Sequence, residues 1–178
     1  MTSKIGKWIF IFLYLTFLTS CSNYEHIQDK FYRDSRSEKI FFKSKTVDNF
    51  TVYNPVDYNI DFNSMVITDA FIVDKYSVYY FYDTTSGTFI SKLDNADRKT
   101  FHVLKGEYYA VDKNYVFAAR GELVKNADIH SFEPIIDLNI DSGLPLGRDK
   151  INIYLYGDVI TDISEIDGLN EYITNNPL

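Results

Sequence analysis

Three segments of this 178-residue chain open in the same way, and that recurrence limits the folds open to it. Asp74-Lys75-Tyr76-Ser77-Val78-Tyr79 aligns with Asp112-Lys113-Asn114-Tyr115-Val116-Phe117, and a third opening stands at Asp149-Lys150-Ile151-Asn152-Ile153-Tyr154. A second anchor follows the first two openings. Ala96-Asp97-Arg98-Lys99-Thr100-Phe101 aligns with Ala127-Asp128-Ile129-His130-Ser131-Phe132. A repeat of this length is one supersecondary unit that cannot bury its own apolar face, so neighbouring units must stack or share a sheet. The openings lie 38 and 37 residues apart only because insertions compensate: 23 then 15 residues separate the anchors of the first copy, 16 then 21 those of the second. Asp29-Lys30 repeats the dipeptide, but nothing after it follows the pattern.

The composition says what the units are made of. Fifteen Tyr and 14 Phe, with abundant Ile and Val and little Ala or Leu, favour strands over helices. Short candidate strands run over 39–44, 50–53, 65–68, 70–74, 77–82, 88–92, 107–112 and 115–119, and Asp83-Thr84-Thr85-Ser86-Gly87 reads as a hairpin tip. The best helical stretch is Asp162 to Ile173, where Ile163, Ile166, Leu169 and Ile173 share a face and Gly168 weakens it. The expected fold is mostly β: repeated hairpin or meander units forming one antiparallel-sheet domain, with a short C-terminal helix.

The repeated polar residues have a structural explanation. An Asp ending one strand accepts hydrogen bonds from the following backbone N–H groups, the chain reverses, and a Val-aromatic pair begins the return strand. In Ala-Asp-x-x-Ser/Thr-Phe, the Asp and the hydroxyl satisfy a tight turn while Phe enters the core. Asp74, Lys75, Asp97, Asp112, Lys113, Asp128, Asp149 and Lys150 are therefore expected as a structural turn motif, in units starting near 74, 112 and 149. The functional alternative is a ligand-binding row of aspartates.

The run Asp112-Lys113-Asn114-Tyr115-Val116-Phe117, then Gly121 and Ala127-Asp128 with Ser131-Phe132, resembles the DKNYY family of bacterial exported proteins over roughly 70–157. Val116 stands where that pattern has its second aromatic, and Phe117 follows it. The resemblance implies repeated β-units in exported proteins and carries no activity, ligand or catalytic residue.

The N-terminus points the same way. Lys4 and Lys7 precede an apolar run from Trp8 to Leu18, too short for a span of about 20 residues but suited to a signal peptide. Leu18-Thr19-Ser20-Cys21 then reads as a lipobox, with Cys21 the only cysteine. The expected layout is a cleaved lipoprotein signal peptide over 1–20, an acylated Cys21 plus polar tether over 21–39, and one β-rich domain over 40–178. Two or three acyl chains suffice for stable attachment. Ser22 favours the outer membrane if the cell has two.

Several chemistries lack support. Removing the leader takes away two lysines and leaves 158 residues of net charge −9, which argues against nucleic acid and against electrostatic docking on anionic headgroups. Asp137 to Gly143 superficially resembles a calcium loop, but Ser142 replaces the glycine and Arg148 the bidentate Glu. His26, His102 and His130 lack metal-ligand spacing and read as surface residues. No nucleophile elbow, zinc-helix, phosphate-loop or dinucleotide motif is present. Tyr79, Tyr80 and Tyr82 alternate with Val78 and Phe81, so both sheet faces there are aromatic; a strand buried on both sides is the favoured reading, and a core face backed by a recognition surface is the alternative. The expectation is a lipid-anchored envelope protein with a non-enzymatic binding or structural role. It uses no catalytic residue, metal or cofactor, and its partners are the membrane and a protein or glycan. The alternatives are an inhibitor or immunity protein for a secreted toxin and, less favoured, a carboxylate-based envelope hydrolase.

Overall fold

The computed structural model describes residues 23–136 and 144–177, and its strands fall into four consecutive antiparallel sheets, none closed into a barrel. The first sheet holds β1 (Tyr24–Gln28), β2 (Phe31–Asp34), β3 (Ile40–Lys45) and β4 (Thr51–Val56). The second holds β5 (Val66–Ile67), β6 (Phe71–Val73), β7 (Val78–Thr84) and β8 (Gly87–Lys92). The third is β9 (His102–Val103), β10 (Tyr109–Val111) and β11 (Val116–Ala118), with Leu123 bridging back to Phe117. The fourth is β12 (Glu133–Pro134), β13 (Leu146–Arg148), β14 (Ile153–Leu155) and β15 (Asp158–Val159). Within every sheet the strands pair in chain order, so each is a meander.

Period-two alternation in each sheet supplies two apolar faces, and the faces meet in succession. In the second sheet Phe71 pairs with Tyr80 and Val73 with Val78 on one face, while Ile72 pairs with Tyr79 on the other. Ile72 and Tyr79 join Phe31, Phe42 and Val56 of the first sheet in one core. Phe71 and Val78 join Ala110 and Phe117 of the third sheet in a second. Tyr109, Val111, Val116 and Ala118 turn the other way and meet Phe132 and Tyr154 of the fourth. The outer face of the fourth sheet, with Leu146 and Ile153, is covered by Ile166 and Leu169. Each large side chain so buried contributes about 1.5–3 kcal/mol. The stack therefore has a helical cover at its C-terminal end.

The stretch expected as a polar tether, 21–39, instead supplies β1 and β2 within its described residues 23–39, so the β-domain begins near Tyr24 and not at 40. Phe31 is fully buried against the rings of Phe42 and Phe62. A register shift between His26 and Gln28 hides this in the sequence, because the extra residue at a bulge breaks the alternation. The C-terminal stretch also differs from one continuous helix. Ile163–Glu165 forms a 3₁₀ turn, Gly168 adopts φ 80°, and α1 (Leu169–Asn175) starts after it, since a left-handed residue interrupts the helical hydrogen-bond ladder.

Tyr109 ties the last two sheets together. Its fully buried hydroxyl donates towards the carbonyls of Pro145 at 2.6 Å and Tyr156 at 3.0 Å, and burial pushes its phenol pKa up. Tyr109→Phe is expected to cost about 1–3 kcal/mol, because carbonyls buried on folding lose their donor. Thermal melting followed by near-ultraviolet circular dichroism checks it.

Candidate functional site

Asp74, Asp112 and Asp149 stand at the turns between the second and third strands of their sheets and are 0%, 3% and 3% exposed. Each uses one carboxylate oxygen, Oδ1, to close its own turn. Asp74 accepts from the N–H of Tyr76 at 2.7 Å and Ser77 at 2.6 Å; Asp112 from Asn114 at 2.7 Å and Tyr115 at 2.8 Å; Asp149 from Ile151 at 2.8 Å and Asn152 at 2.7 Å. The other oxygen, Oδ2, reaches back to the turn that enters the same sheet. It accepts the N–H of Asp61 at 2.9 Å, of Asp97 at 2.6 Å and of Asp128 at 2.9 Å respectively. One buried carboxylate thus clamps two turns that lie 13, 15 and 21 residues apart.

The entering turns carry the complementary groups. The N–H of Lys75, Lys113 and Lys150 donates to the hydroxyls of Ser64 (2.8 Å), Thr100 (3.1 Å) and Ser131 (3.2 Å). Lys113 pairs with Asp97, and Lys150 with Asp128 at 2.8 Å, while the Lys75 ammonium lies 5.1 Å from the Tyr76 ring centre. The lysines, and at Asp128 the Ser131 hydroxyl, favour the charged form of these two half-buried acids. The hydrogen bond from Lys150, then that from Ser131, pulls Asp128 down to about 2, and Lys113 lowers Asp97. At Asp149 burial opposes ionisation, but the N–H groups of Asp128, Asn152 and Ile151 and the Tyr154 hydroxyl together outweigh it.

These shifts predict a pH dependence. A carboxylate whose folded pKa is depressed adds stability that is present above its unfolded value near pH 4 and is lost as pH falls through the folded value. For Asp128 that window runs from about pH 4 down to about 2. Lys113 and Lys150 are raised by their partners, so their contribution is present below the unfolded lysine value and fades as pH rises through the folded one. Melting temperature should therefore fall below pH 4, as a titration of melting curves would read, whereas the loss of the two lysine pairs above about pH 10.5 should be small because both lie at the surface.

The relation between the anchors differs from the one the repeat suggests. Asp97 follows the Asp74 opening in sequence, yet it bonds to Asp112, and Asp128 bonds to Asp149. The physical unit therefore begins at the Ala-Asp turn and ends after the Asp-Lys hairpin. This phase exposes a member missed in the sequence: Ile60-Asp61-Phe62-Asn63-Ser64-Met65 serves the Asp74 sheet, with Ser64 donating to Asp61 Oδ2 at 3.0 Å just as Ser131 donates to Asp128 at 2.9 Å. The Asp-x-x-Ser spacing ahead of an apolar residue was the available signal. Asp34, at the equivalent turn of the first sheet, keeps a local version by accepting from the Arg36 N–H and the Ser37 hydroxyl. Asp29-Lys30 lies in the preceding turn, with Asp29 at φ 48°.

Ligand-facing chemistry lies elsewhere. An open cleft of about 700 Å³ between the first two sheets is floored by Phe42 and Phe81 and edged by Asp29, Asp69, Asp83 and Glu107, with Lys30. Two of its acids are engaged: Asp83 accepts from the Thr88 hydroxyl and Glu107 from the Asp69 N–H. The three histidines are exposed; His26 packs on Tyr32 and reaches the Asp29 carbonyl, and His102 sits beside the Thr100 carbonyl. Among the described residues no group of three or more His, Cys, Asp or Glu could hold a metal ion. Cys21 and the 137–143 loop lie outside the described residues.

The aromatic residues divide as follows. Tyr79 is buried between the first two sheets with Phe81 beside it, and Tyr80 packs towards the third sheet. Tyr82 packs on Phe89, and the Arg120 guanidinium lies between the rings of Tyr82 and Tyr156 at 5.4 and 5.2 Å. A half-buried aromatic cluster lies on the first sheet. On its face away from the core, Tyr24 stacks on Tyr53 at 4.1 Å, and Phe41, Tyr32 and His26 close around them edge-on. No family model, curated protein or solved structure matches this chain.

Proposed function

We propose that the chain is a lipid-anchored protein of the bacterial cell envelope whose stacked β-domain serves a non-enzymatic binding or structural role. The sequence Leu18-Thr19-Ser20-Cys21, directly ahead of the domain's first strand, carries this reading. The resemblance of the Asp-Lys repeats to DKNYY proteins supports an exported location. The engagement of Asp74, Asp112 and Asp149 in backbone hydrogen bonds supports a structural use of the motif, since those oxygens are spent on internal N–H groups. The partner is a protein or glycan, with neither nucleic acid nor cofactor involved, and the outer membrane is favoured where there are two.

Cys21→Ser is expected to move the protein out of the membrane fraction, and the mass of the wild-type N-terminus is expected to include a diacylglyceryl group. An unmodified Cys21, or a serine variant that stays with the membrane, overturns the anchor. The acid-edged cleft favours an envelope hydrolase as the second reading. Asp83→Asn with unchanged melting temperature and a lost glycan-cleaving activity would establish it in place of the first.

A further inference from the structure

We propose that the outer face of the first sheet lies against an anionic lipid bilayer, a second membrane contact beside the lipid on Cys21; the inference rests on that anchor. The distance along the chain is the first reason. Only Ser22 and Asn23 separate Cys21 from β1, so the lipidated residue is at most about 10 Å of extended chain from Tyr24. With β1 and β2 in place of a tether, the start of the first sheet is held close to the headgroup region.

Charge is the second reason. The first sheet, residues 23–56, carries six basic and five acidic residues, whereas 57–178 carries ten basic and twenty acidic. A domain of net charge +1 at one end and −10 over the rest is oriented by a negative surface with its first sheet inward, and the field acts within a Debye length of about 10 Å. The whole-chain charge conceals this because the negative sheets lie further along the stack.

The chemistry of the face is the third reason. Tyr24, Tyr32, Phe41 and Tyr53 form one aromatic patch, and tyrosines are enriched at membrane–water interfaces. Lys43 and Lys45 share that face by strand parity, the Lys43 ammonium resting 5.4 Å from the Tyr32 ring centre. The β3–β4 hairpin ends in Val47 and Phe50, 77% and 68% exposed, beside the acid Asp48. The other end of the stack is covered by the C-terminal helix; this end has the bilayer for its cover.

The mature chain is free of tryptophan, because Trp8 precedes Cys21, so single reporters can be placed. Processed protein purified from membranes, carrying Phe41→Trp, Phe50→Trp or the control Tyr115→Trp, is mixed with vesicles of phosphatidylglycerol and phosphatidylethanolamine with brominated acyl chains. Phe41→Trp and Phe50→Trp are expected to lose most of their emission and shift to the blue, while Tyr115→Trp, in the turn between β10 and β11, stays unchanged. Phe50 is exposed, so that variant keeps the test valid if Phe41→Trp disturbs the patch. Unquenched reporters overturn the contact, and so does a blue shift that grows with protein concentration in the absence of vesicles, which assigns the face to a second copy. The N-terminal mass of the same sample separates the two ideas. A lipidated but unquenched protein defeats the sheet contact alone. An unlipidated but quenched one defeats the anchor and leaves the contact standing.

Discussion

Asp112→Ala is expected to lower stability by about 3 kcal/mol, roughly 1 kcal/mol for each of the three backbone N–H groups that lose their acceptor. Against a typical total of 5–15 kcal/mol, that is a large share. The loss has two parts. The N–H groups of Asn114 and Tyr115 belong to the β10–β11 hairpin itself, whereas that of Asp97 belongs to the crossover that enters the third sheet. Asp112→Asn separates them. Its amide oxygen can still serve the hairpin, but its NH₂ group then faces the Asp97 N–H, donor against donor. Asparagine should therefore restore part of the loss and alanine none. Lys113→Ala is the contrast: its side chain is 59% exposed, and the pair it makes with Asp97 is a surface pair whose removal should barely move the melting temperature. Equal melting temperatures for Asp112→Ala and wild type would show that the clamp contributes nothing.

Gly121→Val is expected to cost about 3 kcal/mol, from backbone strain and collision together. Gly121 has φ 76°, in the left-handed region that a β-branched residue avoids. A Cβ placed there would collide with the Tyr80 ring at Cδ1. That ring packs against the core between the second and third sheets, so its displacement spreads beyond the turn. Shortening Tyr80 to alanine removes the collision but not the strain. The double variant Tyr80→Ala/Gly121→Val should consequently be more stable than the sum of the single losses, by an amount that denaturant melts can resolve. Strict additivity would place the whole cost in the backbone.

The two anchors illustrate how much was legible beforehand. Alternation marked most strands from Ile40 to Ala118, because period-two burial is written into each strand locally. It failed at β1 and β2, where the register shift after His26 breaks the pattern and where charged residues such as Arg33 interleave with the buried Phe31. The recurrence of Ala-Asp-x-x-Ser/Thr-Phe was visible, but its partner was not. A carboxylate that accepts from a backbone N–H leaves no mark on the residue that donates, since almost every residue offers the same group. The aromatic face of the first sheet is hidden in the sequence for a related reason: Tyr24, Tyr32, Phe41 and Tyr53 lie on four different strands, and only the pairing brings them together.

By itself, then, the sequence determined the β character, through its Tyr, Phe, Ile and Val content, and the recurrence of an Asp-Lys opening that each unit must accommodate. Those are local properties, set within a few residues by side-chain shape and hydrogen-bonding reach. Tertiary structure alone decided that the units stack as four sheets, that each clamp joins an entering turn to a hairpin 13, 15 or 21 residues onward, and that the charge-balanced first sheet stands at one end of an otherwise acidic stack. The connecting loops vary in length at little entropic cost, so chain spacing does not encode those pairings. Burial of one sheet's face against the next selects them.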